Sequence, residues 1–488
     1  APLDLNNIQG DILGGLPKKT ETYFFFKITD AAAFRKHLKQ LIPLITTTAQ
    51  VQKDRKAIDE HKKSNQKSGK PPELLPLAGV NIAFSHAGLK KLGINDDNLG
   101  DTAFKAGQLA DAQNLGDPGT GNAGAKFVPD WDPAFKEKDI HGVILVAGDS
   151  HETVDKKLQE IEAIFGVGGP HASIHEVLTI QGDVRPGDEK GHEHFGFQDG
   201  ISQPAVKGFD TNPNPGQAPV RPGVILVGRD GDSVANNARP SWAKDGSFLV
   251  FRKLQQLVPE FNKFLEENPI KLPGNNLTPE EGSELLGARL VGRWKSGAPI
   301  DITPLQDDPE LAKDPQRNNN FRFDHPFADE QDSQTRCPFA AHIRKTNPRA
   351  DLEDASPTSV ESRRIIRRGI PYGPEVTPEE KESKKTKHDR GLLFVCYQSN
   401  IENGFQFIQK SWANNPNFPP SKPNPVTPGF DPIIGQAANN DGARTMSGTD
   451  PNNQANELSL PTELFVVPRG GEYFFSPSIS ALKDTFAA

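Results

Sequence analysis

The chain has 488 residues, a net charge of −8, 34% hydrophobic residues, 29 Phe, 44 Gly and 43 Pro. That length allows two or three domains with sizeable cores, and the negative balance leaves no basic footprint for nucleic acid. No run of about 18 apolar residues is present to span a membrane, and the Phe, Gly and Pro counts point to aromatic cores joined by long loops.

In chain order, TYFFFKI (22–28) predicts a buried strand. DAAAFRKHLKQLI (30–42) predicts a helix with Asp30 as its N-cap. The charged stretch 54–73 reads as solvated. Residues 80–84 and 85–93 read as a strand and a short helix, and residues 141–149 and 150–166 repeat that pattern. The Pro/Gly/Asn-rich segment 205–223 marks a boundary, giving domains 1–210 and 211–488. In the second half, 224–228 and 246–252 read as strands and 253–268 as a helix. Residues 390–399 and 400–414 form another strand-to-helix unit, and 471–486 closes with one more. Segments 300–335 and 415–460 read as surface loops. Neither half shows a regular βαβαβα run with a Gly-rich phosphate loop. The expected fold class is therefore α+β with largely antiparallel sheets.

Cys337 and Cys396 are too few for a disulfide framework and lack the spacing of a zinc or covalent c-type haem site. The beginning APLDLNNIQG and the single sequon Asn276-Leu277-Thr278 are what a secreted protein would carry.

Three stretches carry candidate chemistry. GFQDGISQP (196–204) sets Asp199 between Gly196 and Gly200, just after His192, Glu193 and His194. It reads as a metal cage, a capped turn or a catalytic acid. RCPFAAHIRKTNPR (336–349) sets His342 on an apolar wall with Arg344, Lys345 and Arg349 beside it, which suits haem and its carboxylates. RRIIRRGIPYGPE (363–375) crowds four arginines. It is either a solvated basic face or the source of one arginine beside a reacting anion.

Together these stretches resemble the dye-decolorizing peroxidases, in their longer secreted fungal form. GFQDG has the form of that family's G-x-x-D-G motif. CPFAAHIRKTNPR is similar to its proximal-histidine segment, IIRRGIPYGPE to its distal-arginine segment, and RGLLFVCYQS to a strand of the distal pocket. NNIQGDIL (6–13) and GFDPIIGQ (429–436) extend the resemblance. It implies two ferredoxin-like domains enclosing one haem b per chain. His342 would be the axial ligand, Asp431 the partner of its ring, and Arg349 the contact for a propionate. Asp199 would shuttle the proton of hydrogen peroxide, and Arg367 would stabilise the charge that develops as the O–O bond breaks. Leu392 and Phe394 would wall the distal pocket, and Gly200 would let the backbone come close to the cofactor.

The resemblance further implies a ferryl oxidant that takes electrons from dyes and phenolic or lignin-like compounds through Trp412 and Tyr372 as surface relays. An acid optimum is expected, because Asp stays ionised where His would be charged. Two alternatives stand beside this reading. One is a haem carrier without turnover. The other is a Mn(II)-oxidising peroxidase using Asp351, Glu353 and Asp354. His192 and His194 could share a metal on one strand face, but within this resemblance they are structural.

Overall fold

A computed structural model of the chain describes all residues except 1, 71–73, 122–125, 138, 235–237, 326–332, 354–359 and 438–442. Its centre is one nine-stranded sheet, antiparallel throughout. The first half supplies β1 (Thr20–Ile28), β2 (Ala78–Phe84), β3 (Gly142–Gly148) and β4 (Ile174–Asp183). The second supplies β5 (Ser247–Gln256), β6 (Ile366–Arg367), β7 (Ile370–Tyr372), β8 (Gly391–Gln398) and β9 (Val466–Ser476).

The first half runs in the order β2-β3-β1-β4. The second runs β6-β8-β5-β9, with β7 also on β8. These are the same order, the ferredoxin-like βαββαβ arrangement used twice. The halves join where Phe475 of β9 pairs with Phe84 of β2. The far edges also converge. A Cβ on Gly182 of β4 would lie 2.6 Å from Ile370 Cγ2 and 2.7 Å from the Pro371 carbonyl oxygen, so the sheet curls into a near-closed barrel. Residue 210 falls in the long connection from β4 to β5.

Strand alternation decides what each face buries. Tyr23 and Phe25 of β1, Leu249 and Phe251 of β5, Leu393 of β8 and Phe474 of β9 meet inside the barrel. Phe24 and Phe26 point outward under α1 (Ala31–Leu41), which precedes the long α2 (Thr48–Ser68), and under α3 (His151–Phe165). Phe34 of α1 and Phe165 of α3 stack there, with centroids 5.5 Å apart. Asp30 and Ser150 cap these two helices by accepting the N–H of Ala33 and Thr153.

Several elements differ from the expectation. Residues 54–68 continue α2, an exposed helix that starts at the Thr47 cap, buries little beyond Thr48 and Val51, and stops at Gly69, whose φ is +67°. VILVG is no strand. It follows the turn Pro222–Val224 and plugs the barrel with Val224, Ile225 and Leu226, and a short apolar run alone does not separate those outcomes. β5 runs on to Gln256, which delays its helix to α4 (Val258–Glu267). Residues 400–414 hold only a turn at Phe405–Phe407 and a π-helical turn at Ile408–Ala413. Strands β4, β6 and β7 and the helix α5 (Pro279–Val291) were not anticipated.

Candidate active site

A cavity of about 260 Å³ lies against the outward face of β5 and β8, far larger than the ~10–15 Å³ that one water needs. Phe197, Leu254, Val291, Ile343, Leu392 and Phe394 give it apolar walls. Leu392 and Phe394 reach it because alternate residues of β8, Leu393 and Val395, point into the barrel. Both residues expected to wall the pocket therefore border this cavity.

His342 opens the short helix α6 (His342–Thr346) at the cavity edge. Its Nδ1 lies 2.7 Å from Oδ2 of the fully buried Asp431. The other oxygen of Asp431 accepts the N–H groups of Ile433 and Ile434 at 2.8 and 3.0 Å. A carboxylate pinned in this way is an acceptor, so the ring proton sits on Nδ1. Nε2 has no partner among the described residues, and the ring, 30% exposed, opens to the cavity. Burial opposes a charge on this imidazole, but Asp431 outweighs it and raises the pKa.

Asp199 also lines the cavity, and its 42% of exposed side-chain surface is cavity surface. Its Oδ1 accepts Arg367 Nη1 at 2.5 Å and the N–H of Gly200 at 2.7 Å. Gly196 and Gly200 adopt φ of +101° and +84°, which only glycine takes readily, and so turn the loop back on itself. Upstream, the Glu193 carboxylate gathers the N–H groups of Phe195 and Phe197, both at 2.9 Å, and the Gln256 side chain. Arg367 is itself fixed. Its Nη2 donates to the Ser202 carbonyl at 2.8 Å, and its backbone exchanges hydrogen bonds with the Gln203 amide. Burial would raise the Asp199 pKa, but the Arg367 guanidinium overrides it and holds the carboxyl below its ordinary range.

Other arginines crowd one side. Burial, with mutual repulsion, pulls Arg293 and Arg349 down to about 9 and Arg364 to about 10. Arg349 reaches the cavity as expected, but its Nη atoms already donate to Asn319 and to the Phe321 carbonyl. The head group of Arg364 has no hydrogen-bond acceptor among the described residues. Sequence reading noted the arginine run without separating Arg364 from it.

The structure corrects four expectations. Arg344 and Lys345 do not serve the cavity. Arg344 pairs with Asp351 at 2.5 and 2.8 Å, and Lys345 donates to the carbonyls of Asn415 and Phe418. Asp351 is consequently buried between Arg344 and Lys422 and offers no surface ligand for Mn(II), Glu353 meets Arg322, and Asp354 lies outside the described residues. Trp412 is not a surface residue. It is 3% exposed, stacked on Phe418 at 5.0 Å and edge-on to Phe407. Tyr372 is 6% exposed, with its hydroxyl on Asp389 and Lys253 over its ring. The two histidines of the loop are engaged separately, His192 with the Gly196 carbonyl and His194 with that of Tyr372. Cys337 and Cys396 are free and lie in different cores.

The residues present fit a haem. The cavity has apolar walls, an imidazole nitrogen and an arginine that have no partner among the described residues, and a buried carboxylate behind that imidazole, which together could ligate the iron and meet an acidic substituent.

Comparison with known proteins agrees. Residues 7–186 match the family model for the DyP dimeric alpha+beta barrel domain, and residues 288–418 match that for the C-terminal part of Dyp-type peroxidases. The chain is 49% identical to Peroxidase 2 of Mycetinis scorodonius, over 99% of this chain and 88% of that protein. It is 46% identical to the dye-decolorizing peroxidase AauDyP1 of Auricularia auricula-judae, over 100% and 87%. Among solved structures, an ancestral D-type dye decolorizing peroxidase superposes with a TM-score of 0.94 at 95% identity, covering both chains fully. A dye-decolorizing peroxidase in complex with 2,6-dimethoxyphenol superposes at 0.86 with 50% identity, again over both full chains. With its fold, its paired acid and arginine and its buried histidine–aspartate couple, the chain belongs to the dye-decolorizing peroxidases, haem enzymes that use hydrogen peroxide to oxidise dyes and phenolic compounds.

Proposed function

We propose that the cavity holds one haem b per chain, which His342 would ligate through Nε2, while Asp199 and Arg367 would serve the peroxide. The haem supplies the chemistry that reduces peroxide and withdraws single electrons from aromatic substrates. The observation that carries this reading is one imidazole with a nitrogen locked to a buried carboxylate and the other open to a cavity shared with an acid–arginine pair.

Asp431 accepts the Nδ1 hydrogen bond, which fixes the ring and makes Nε2 a stronger donor. Asp199, held ionised by Arg367, takes the proton from one peroxide oxygen and returns it to the other, so that the second leaves as water. Arg367 stabilises the negative charge that gathers on the departing oxygen. Arg364, with Arg349 behind it, meets the propionates. Leu392 and Phe394 narrow the peroxide side, so bulky dyes are oxidised from outside. Trp412 is then an internal relay, since its packing keeps it from touching a substrate. The enzyme acts outside the cell, as in the fungal type it resembles. Its recovery from the culture medium rather than the cell extract tests that location.

The decisive experiment adds one equivalent of hydrogen peroxide to the haem-loaded protein and follows the Soret band in wild type and Asp199→Asn. The change is expected to be fast in wild type and slowed roughly 10²–10⁴-fold in the variant. Equal rates would remove Asp199 from the proton transfer. No response in either protein would favour a haem carrier.

A further inference from the structure

All four tyrosines of the chain donate their hydroxyl to a carboxylate: Tyr23 to Glu21, Tyr372 to Asp389, Tyr397 to Asp11 and Tyr473 to Asp111. Most of the other aromatic residues in these cores are Phe, which has no proton to lose. Phenols therefore occur only where a base stands ready.

Tyr473 is set apart by its position. It is fully buried on β9, with its hydroxyl 2.5 Å from Asp111 Oδ2. Its ring meets that of Phe405 at 6.4 Å between centroids. Phe405 lines the cavity and lies 6.1 Å from Phe394, another wall residue. One aromatic ring thus separates this phenol from the cavity. The Arg252 guanidinium lies 5.5 Å from the centre of the Phe405 ring and is itself paired with Asp117 at 2.8 Å.

Resting on the haem peroxidase reading, we infer that Tyr473 and Asp111 form an internal electron-donating pair that reduces the peroxide-oxidised cofactor when no outside substrate does. One electron passes from the phenol to the cofactor. The O–H bond breaks and its proton moves to Asp111 Oδ2, leaving a neutral phenoxyl and a carboxylic acid. Because a one-electron-oxidised phenol is strongly acidic, the proton leaves with the electron, and Asp111 is the acceptor in place to take it. Full burial keeps the phenoxyl from dyes and from a second radical. The pair therefore stores an oxidising equivalent and is not a substrate site. An electron from an outside reductant, with the proton returning from Asp111, restores it.

The test is freeze-quenched electron paramagnetic resonance of the haem-loaded protein after one equivalent of hydrogen peroxide without reducing substrate. It uses a Tyr372→Phe background so that this second phenol makes no contribution. A tyrosyl signal is expected, identified by its narrowing when tyrosine is ring-deuterated. It should be lost on Tyr473→Phe and weakened on Asp111→Asn. Tyr473→Phe should fold, because Asp111 keeps its hydrogen bonds from Gln406 and Asn114, and the Soret band reports loading. A signal of unchanged intensity in Tyr473→Phe overturns the inference. So does a peroxide-induced Soret change with no tyrosyl signal, which leaves the peroxidase reading standing. A Soret band that ignores peroxide overturns both.

Discussion

Arg367 holds Asp199 by charge as well as by hydrogen bond. Its guanidinium outweighs burial and holds the Asp199 carboxyl below its ordinary range. The proton-accepting form therefore persists well into acid, and the rate of reaction with peroxide should fall only as pH drops through that depressed pKa. In Arg367→Leu, burial remains and the cation is gone, so the Asp199 pKa rises and the acid limb should move to higher pH. Stopped-flow rate constants against pH check this, and a limb that stays put would uncouple the two residues. At this scale the sequence located residues wherever a motif framed a single one: His342, Asp199 and Arg367 all border the cavity. It was not where residues competed. Four arginines in one run look alike, and only the fold leaves the Arg364 head group without an acceptor among the described residues. The resemblance implied a surface position for Trp412, but Phe418, six residues on, comes back to stack over it.

Helix α7 (Pro378–Ser383) shows how an element far from the chemistry supports it. Glu380 caps this helix through Thr377, accepts the N–H of Lys387 and His388, and forms a fully buried ion pair with Arg390, one residue before β8 begins. Removing one partner strands the other, so Glu380→Gln should cost about 3–5 kcal/mol in denaturant unfolding at neutral pH. The hydrogen bond to Arg390 holds the Glu380 carboxyl far below its ordinary value. The stabilisation is therefore fully present above the unfolded pKa of about 4.3 and lost as pH falls below it, so the difference between variant and wild type should shrink in acid. The capping helix was legible in principle. T-P-E-E occurs twice, at 278–281 and 377–380, and both copies form capping boxes. The short strands β6 and β7 were not, because two- and three-residue pairings are set by the partner strand and not by any pattern of their own.

The whole molecule depends on two ferredoxin-like sheets closing on one another. Gly182 stands where the far edges meet, and any side chain there would push against Ile370 and the Pro371 carbonyl. Gly182→Val should lower stability by about 1–3 kcal/mol, read as a fall in Tm. Because β7 continues from the strand that carries Arg367, it should also slow the peroxide reaction. The repeated strand-to-helix units were visible in the sequence, but the sharing of one sheet was not, since the join rests on a single residue pair between segments almost four hundred positions apart.

The two copies of the same topology differ in what they cover their outward faces with. In the first, Phe24, Phe26, Phe34, Phe84 and Phe165 fill the space between sheet and helices. In the second, the corresponding space is the cavity. The first half's outward face is therefore covered by side chains, some of them from the second half such as Phe486, and the second half's leaves room for a ligand. A ligand at a thousand times its dissociation constant adds about 4 kcal/mol to the half that binds it. Stripping the haem should lower the melting temperature in calorimetry, so that cofactor supply governs how long this enzyme survives as well as how fast it works.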